Sequence, residues 1–197
     1  MSRGDRFDRA DFSARYRETA PEADAPAKTQ LAAKLDPSRK SPVRLLTATW
    51  PILRSKIERV GESVLTDRNG KGRPHKGIDI FADTGTEVLA ANAGRVLRVI
   101  DGRAGTSATQ KHAGLFVDVL GRDALVYRYL HLGEAQVAAG EEMKQGAPVG
   151  VVAAPNTSGL RAATHLHFEI RQGDFTRSAQ DYGAPIDPLR LLPPLRA

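Results

Sequence analysis

The sequence predicts an all-β domain, an antiparallel sandwich or barrel-like arrangement, preceded by a mobile N-terminal arm. From Trp50 onward, apolar residues occur in short runs that are separated by glycine, and helical periodicity is nearly absent after Val60. Several short strands at close spacing are typical of all-β sandwiches and barrels. The chain has 197 residues, of which 41% are hydrophobic, so it can bury one ordinary core.

The N-terminal part of the chain differs in composition from the rest. Residues 1–42 are rich in Arg, Asp, Ala and Pro and show no sustained periodicity, so they would bury little apolar surface. We predict a mobile arm at residues 1–48, with one short helix at residues 11–19, and a folded domain at residues 49–197. The arm could be a solvated linker or a segment that docks on a partner.

Six segments of the domain have the apolar content and the alternation of β-strands. They are residues 87–90, 95–100, 115–120, 125–132, 148–153 and 165–171. The turn residues Gly121, Arg122 and Asp123 predict a hairpin between two of these strands. Residues 101–114 are polar and rich in glycine, which predicts an exposed loop.

Composition excludes several classes of site and partner. The chain has no cysteine, so a metal site would have to use nitrogen and oxygen donors. No apolar run approaches the roughly 18 residues of a membrane span, and the N-terminus is charged where a signal peptide would be apolar. The net charge of +6 favours an anionic partner such as a cell-wall polymer, nucleic acid or anionic lipid. Nucleic-acid binding is not predicted, because no stripe of basic and aromatic residues accompanies the charge.

The segment THLHFEI at residues 164–170 places two histidines one residue apart. On a strand, His165, His167 and Glu169 share one face, while the apolar residues between them lie on the other. A soluble strand would usually present Thr, Lys or Ser on such a face. The pattern therefore predicts a strand with one core face and one face that carries chemistry.

The segment RPHKGIDIF contains His75 and Asp79, which are four residues apart. On a straight strand these positions would lie about 13 Å apart, whereas the donors to one zinc ion lie about 2 Å from the ion. They can share an ion only if the chain bends, which Pro74 and Gly77 permit, and Gly77 also leaves space beside the donors. The residues from Ile78 onward favour extended structure. Taken alone, this pair is explained better by a surface histidine and a turn aspartate.

In the segment LVYRYLHL, alternation places Tyr127, Tyr129 and His131 on one face of a strand. A single histidine at the end of an aromatic face is commonly a half-buried residue that is hydrogen-bonded to a neighbour. The conjunction of four histidines and an aspartate, each on or beside a β-run, indicates more, because these side chains could converge on one cleft. His112 has no such context and is predicted to be a loop residue.

Several segments follow one another in a characteristic order. They are HKGID, GTEVLAANAGRVLRV, YRYLHL, VAAGEEMKQGAPVGVV, THLHFEIRQG and a closing IDPLRLL. This order resembles that of the lysostaphin-like, or LytM-type, zinc endopeptidases, which cleave peptide bonds in bacterial peptidoglycan. The resemblance covers about residues 73–192 and implies a β-sheet-rich domain with a groove over one sheet.

The resemblance also implies a site. It assigns His75, Asp79 and His167 to zinc, and His131 and His165 to catalysis. Three protein ligands leave a fourth position open for water, whose pKa zinc can lower to about 7 while it also polarises a carbonyl. The chain lacks H-E-x-x-H, so the two catalytic histidines would take the place of a glutamate base, and the division of work between them stays open.

Neighbouring positions on one face of a strand lie about 6.5 Å apart. His167 could therefore hold the metal while His165 reaches the bound water or the substrate. Glu169, on the same face, could orient an imidazole from behind the ligands, or it could be a rim carboxylate in contact with water.

Two alternative functions come from other classes of protein. In GEEMKQG, the residues Glu142, Met143 and Lys144 resemble the hairpin tip of lipoyl and biotinyl carrier domains, in which the lysine is modified. The carrier hypothesis explains none of the histidines. The other alternative is a catalytically inactive module that binds peptidoglycan or activates another hydrolase, but such a module would be expected to have lost ligands.

We therefore predict a zinc metalloendopeptidase that acts on the peptide cross-links of peptidoglycan, in the periplasm or outside the cell. The Arg-rich, Lys-poor composition indicates a GC-rich genome, which favours a D-alanyl cross-link over a glycine bridge. Without a visible signal peptide, delivery would depend on a phage, an injection apparatus or a longer natural chain, and the arm could contact the delivery partner. A monomer is expected.

Overall fold

A computed structural model describes residues 48–61, 64, 74–172 and 184–195 of the chain, and these residues form a β-sheet domain. The predicted helix at residues 11–19 and residues 1–47 of the predicted arm lie outside the described residues. No helix in the described part of the chain has the length and apolar content to cross a bilayer.

The described part of the domain is built from ten strands. They are β1 (Arg59–Val60), β2 (Ile78–Phe81), β3 (Glu87–Leu89), β4 (Gly94–Asp101), β5 (Leu115–Gly121), β6 (Val126–Ala135), β7 (Glu142–Met143), β8 (Pro148–Val152), β9 (His165–Gln172) and β10 (Ala184–Ile186).

All the strand pairs are antiparallel, and they form one sheet of ten strands. The main order is β1–β2–β9–β6–β5–β4–β7, with β10 beside β9, and with β8 and then β3 continuing from β6. Among the described residues, the edge strands β1 and β7 do not pair with each other, so the sheet is open. The all-β, antiparallel prediction is confirmed, and the six predicted strands are all present within two or three residues of their predicted bounds.

The segment at residues 101–114 is more ordered than the predicted loop. It contains a 3-10 turn at Gly102–Ala104 and the short helix α1 (Ala108–Ala113). The side chain of Ser107 accepts a hydrogen bond from the backbone N–H of Gln110, whose side chain in turn accepts from the N–H of Ser107. This capping box stabilises the first turn of a helix, and the spacing Ser107-x-x-Gln110 was its signal in the sequence.

The hydrophobic core lies against one face of the sheet. It takes alternate residues from the central strands, such as Ile78 of β2, Tyr129 of β6 and Phe168 of β9, none of which is exposed. Met143 of β7 also packs into this core, so GEEMKQG is a short edge strand that pairs with β4 and then turns. The core side of the sheet therefore follows the predicted alternation closely.

The long strand β6 contains a bulge at His131. The backbone of His131 has φ = 62°, which is in the left-handed region. On β5, Leu115 and Val117 are two residues apart, but their partners on β6, Leu132 and Tyr129, are three apart. The extra residue on β6 shifts the alternation by one position. Residues before the bulge pair with β9, and residues after it pair with β8.

The bulge corrects one expectation. Alternation predicted that His131 shares a face with Tyr127 and Tyr129, but both tyrosines lie fully buried in the core. The ring of His131 instead lies 6.0 Å, centroid to centroid, from that of His167 on the opposite face. The left-handed residue turns the histidine out of the core face, which regular β-geometry would not do.

Candidate metal centre and active site

Three predicted metal ligands meet at the junction of β2 and β9. Asp79 on β2 and His167 on β9 are direct cross-strand partners, and His75 precedes β2. Nε2 of His75 lies 3.2 Å from Oδ1 of Asp79 and 3.0 Å from Nδ1 of His167. The Asp79 oxygen and the His167 nitrogen are 2.8 Å apart. The three donor atoms thus form a compact triangle.

The bend that brings His75 to Asp79 lies at Gly77, as the sequence predicted. A Cβ atom at Gly77 would collide with the backbone carbonyl of Phe168 and would lie 2.9 Å from Cγ of Glu169. Glycine is therefore required because the backbone of β9 passes directly against this turn. The turn therefore lies close against β9, and this position brings the His75 ring next to Asp79.

The triangle has the right size for a small tetrahedral cation. Zinc bonds to nitrogen and oxygen at about 2.0–2.2 Å, so tetrahedral donors lie about 3.3 Å from one another. The observed separations of 2.8–3.2 Å are close to that value. Burial disfavours the charged form of Asp79, but hydrogen bonds with His167 and His75 outweigh it and hold its pKa far below the usual range. The three residues can therefore hold a divalent metal through two nitrogens and one anionic oxygen.

Glu169 lies directly behind His167. Its Oε1 atom is 3.0 Å from Nε2 of His167, and since a carboxylate only accepts, the imidazole N–H donates. Burial opposes ionisation of Glu169, but the hydrogen bond from His167 and the charge of Arg171 lower its pKa to about 2. Burial also opposes protonation of His167, yet its hydrogen bonds to Asp79 and Glu169 raise its pKa to about 9. A metal ion would thus displace a proton from Nδ1 of His167.

His131 lies beside the triangle as a neutral ring. Its Nδ1 atom is 3.0 Å from the carbonyl oxygen of Ser158, which can only accept, so Nδ1 carries the proton. Burial, together with the charges of His167 and His165, lowers the pKa of His131 to about 3. The Ser158 hydroxyl donates to the carbonyl of Leu132 and accepts from the N–H of Leu115, which fixes this segment to β5 and β6. The lone pair of His131 is therefore on Nε2.

His165 completes the group at the start of β9. Its ring centroid lies 5.2 Å from that of His131 and 5.2 Å from that of Phe81. Its Nδ1 atom is 3.3 Å from the carbonyl oxygen of Ala163, and its Nε2 atom is 3.8 Å from Oδ1 of Asp79. The carbonyl oxygen of Ala163 can only accept, so Nδ1 of His165 carries a proton, and Nε2 is the ring atom that lies toward the three donors.

His112 is nearer the site than the sequence indicated. Its exposed ring, on α1, lies 6.0 Å from that of His131 in an edge-on arrangement. A Cβ atom at Gly159 would collide with the carbonyl of His112, and one at Gly114 would collide with the carbonyl of Ser158. These two glycines let the segment with α1 pack closely against the loop that holds His131. The five histidines of the chain therefore form one continuous group of rings.

Comparisons with known proteins show to which family the chain belongs. The sequence profile of peptidase family M23 matches residues 73–188, more than half of the chain. An uncharacterized metalloprotease of Haemophilus influenzae is 32% identical over 103 residues, which are 51% of this chain and 19% of that protein. Peptidoglycan DD-endopeptidase ShyC of Vibrio cholerae is 30% identical over 101 residues, which are 51% of this chain and 21% of ShyC. The chain thus spans about a fifth of the length of these two relatives.

A solved structure gives the same result for the fold. The catalytic domain of the antimicrobial peptidase lysostaphin from Staphylococcus simulans matches with a TM-score of 0.53 and 25% identity. The match covers 67% of this chain and 90% of that domain. The resemblance to lysostaphin-like endopeptidases that the motifs predicted is therefore confirmed, and the chain belongs to peptidase family M23.

Proposed function

We propose that this chain is a zinc-dependent endopeptidase that hydrolyses the peptide cross-links of bacterial peptidoglycan. The observation that carries the proposal is the triangle of His75, Asp79 and His167, with the rings of His131 and His165 beside it. A structural zinc site has four protein ligands, whereas a catalytic site commonly has three and leaves one position open. Three donors beside two further imidazoles fit the catalytic kind.

The metal would be held by Nε2 of His75, Oδ1 of Asp79 and Nδ1 of His167. Bound zinc supplies Lewis acidity, which polarises a carbonyl and acidifies a coordinated water. Glu169 keeps the proton of His167 on Nε2, so that Nδ1 can face the metal. Such a carboxylate behind a histidine ligand fixes the orientation of the ring.

His131 and His165, which do not bind the metal in this proposal, would then have different catalytic roles. His131 is neutral and carries its lone pair on Nε2, so it can accept a proton from the attacking water. His165 holds its Nδ1 against the carbonyl of Ala163 and has Nε2 toward the site, so we assign it the complementary task of donating to the developing oxyanion or to the leaving amine. The hydrogen bond to Ser158 gives His131 a fixed orientation for this step.

The proposed substrate and place of action are supported by the names of the relatives. ShyC is named as a peptidoglycan DD-endopeptidase, and lysostaphin as an antimicrobial peptidase. Peptidoglycan is anionic, which suits a chain with a net charge of +6. We propose that this chain acts on the cell wall in the periplasm or outside the cell, on stem-peptide cross-links, with the D-alanyl bond preferred to a glycine bridge.

Digestion of purified sacculi tests the proposal directly. The full chain, loaded with one equivalent of zinc, should release soluble fragments whose masses match cleaved peptide cross-links with intact glycan strands. A chelator should stop the release, and added zinc should restore it. Sacculi from a species with D-alanyl cross-links and from one with glycine bridges give the bond preference. If the zinc-loaded chain binds sacculi but releases no fragment, the inactive binding module is the correct function.

A further inference from the structure

A row of alternating charges crosses the sheet beside the metal centre. Arg98 on β4 is opposite Asp118 on β5, Asp118 is opposite Arg128 on β6, and Arg128 is opposite Glu169 on β9. Arg171 follows two positions after Glu169 on the same face of β9. All five side chains are buried, although they lie on the face opposite the hydrophobic core. We call these five residues the charge row.

Each carboxylate of the charge row lies between two arginines. Oδ1 of Asp118 accepts from Nε of Arg128 at 2.7 Å, and its Oδ2 accepts from Nη2 at 3.1 Å. Nε of Arg98 lies 3.2 Å from Oδ2 of the same aspartate. Oε2 of Glu169 accepts from Nε of Arg171 at 2.6 Å and lies 4.0 Å from Nη1 of Arg128.

The two oxygens of Glu169 have different partners. Oε2 faces the arginines, and Oε1 accepts the hydrogen bond from Nε2 of His167. The arginines of the charge row therefore fix the orientation of the Glu169 carboxylate, and the carboxylate in turn fixes the orientation of the His167 imidazole. Asp118 holds Arg128 from the opposite side through a two-bond fork, which is the most directional geometry of such a pair.

Stability alone does not account for the charge row. A buried ion pair costs about as much in lost hydration as it returns in attraction, so apolar residues would serve a purely structural role as well. If the row has a function, one of its ends should contact a residue whose side-chain orientation matters for that function. The charge row has such an end, since Glu169 contacts His167.

We propose that the charge row is a positioning device that fixes His167 through Glu169, with Arg128 acting from the neighbouring strand and Asp118 from two strands away. The inference rests on the proposed zinc site, because it concerns how firmly His167 holds the metal. It predicts that a change at Asp118, whose ion-pair partners are Arg98 and Arg128 and not a proposed metal ligand, weakens metal binding.

The test is zinc affinity, measured on the full chain by competition with a chromogenic chelator, so that hydrolysis is not needed as a readout. Glu169→Gln keeps an acceptor for His167 but loses the charge, and we expect zinc affinity to fall by about 10- to 100-fold. Asp118→Asn should weaken zinc by about threefold or more, less than the first variant does. The Co²⁺-loaded chain should show shifted visible absorption bands in both variants, because the geometry around His167 changes.

Asp123→Asn is the matched control. Asp123 lies in the turn that joins β5 to β6 and accepts hydrogen bonds from the Tyr127 hydroxyl at 2.5 Å and from Asn92 at 2.9 Å, neither of which belongs to the charge row. It should lower the melting temperature and leave zinc affinity unchanged. If Asp118→Asn does not fold, Arg128→Lys keeps the charge, removes the fork and should weaken zinc in the same way.

The double variant decides whether Asp118 acts through Glu169. If it does, Glu169→Gln with Asp118→Asn should bind zinc as weakly as Glu169→Gln alone, because the path is already broken. Zinc affinity that is unchanged in Asp118→Asn, or effects that multiply in the double variant, would overturn the inference. If the unaltered chain binds no zinc, the proposed function fails and the inference fails with it.

Discussion

The two faces of the sheet at β6 and β9 differ in what determines the position of their side chains. On the core face, Tyr127, Tyr129 and Phe168 follow strict alternation and are fully buried. On the opposite face, His131 reaches the site only through a bulge, and His167 is held by a chain of hydrogen bonds. The difference teaches that apolar packing tolerates any residue of the right size, whereas a metal centre needs particular atoms at particular places. Changes on the two faces should therefore have separable effects.

The largest effect is expected from the ligands themselves. Asp79→Ala or His167→Ala should abolish sacculus digestion and lower zinc affinity by more than about 100-fold, since a lost ligand costs more than a lost outer partner. Metal content measured by mass spectrometry, beside digestion, checks this. Asp83→Ala, which changes an exposed aspartate just after β2, is the control and should behave as the unaltered chain. Full zinc content in Asp79→Ala would remove Asp79 from the ligand set.

A smaller loss, confined to turnover, is expected from the other two histidines. His131→Asn and His165→Gln should lower kcat by about 10²- to 10⁴-fold, the usual contribution of an acid–base group. Asparagine is chosen at position 131 because it tolerates the left-handed backbone better than most residues. Zinc content should stay at one per chain in both variants. Loss of zinc from the His165 variant would contradict the division of roles between His165 and His167.

A substitution on the core face should change the stability of the fold and leave zinc affinity and activity unchanged. Tyr129→Phe removes the hydroxyl that accepts from the backbone N–H of Ala91 at 2.8 Å and leaves that buried donor without this partner. We expect the free energy of unfolding to fall by about 1–3 kcal/mol, as measured by chemical denaturation. Zinc affinity should not change. A large change in zinc affinity would show that the two faces are coupled and that the comparison drawn above is too simple.

The smallest effect is expected at the rim of the site. His112→Ala removes an edge-on ring contact with His131, and such aromatic contacts are worth about 0.5–1.5 kcal/mol. We therefore expect kcat/KM to fall by about two- to tenfold, with zinc content unchanged. Steady-state kinetics on a soluble cross-linked muropeptide would measure this. A loss above about 100-fold would place His112 among the acid–base groups instead.

Most of the fold was predictable because it depends on local patterns. The alternation of β9 separated His167 from Phe168 correctly, and the turn after Gly121 joins β5 to β6 as predicted. The strands β1, β7 and β10 have only two or three residues, which is too short for alternation to show. The boundary between arm and domain stays a prediction.

The site was predictable in its members but not in its geometry. Motif order gave the five residues that the structure brings together, and their roles remain proposals. The position of His131 depends on a single left-handed residue, and nothing in LVYRYLHL signals it. The position of His112 depends on contacts of Gly114 and Gly159 with distant backbone, which no local pattern encodes.

The pairing of Asp79 with His167 joins positions 88 apart in the sequence. During synthesis on the ribosome, therefore, β2 leaves the exit tunnel long before its partner exists. Until β9 is made and inserted between β2 and β6, the donors cannot meet, and the growing chain has no place to bind an ion tightly. The insertion of β9 is thus the step at which the three donors first come together.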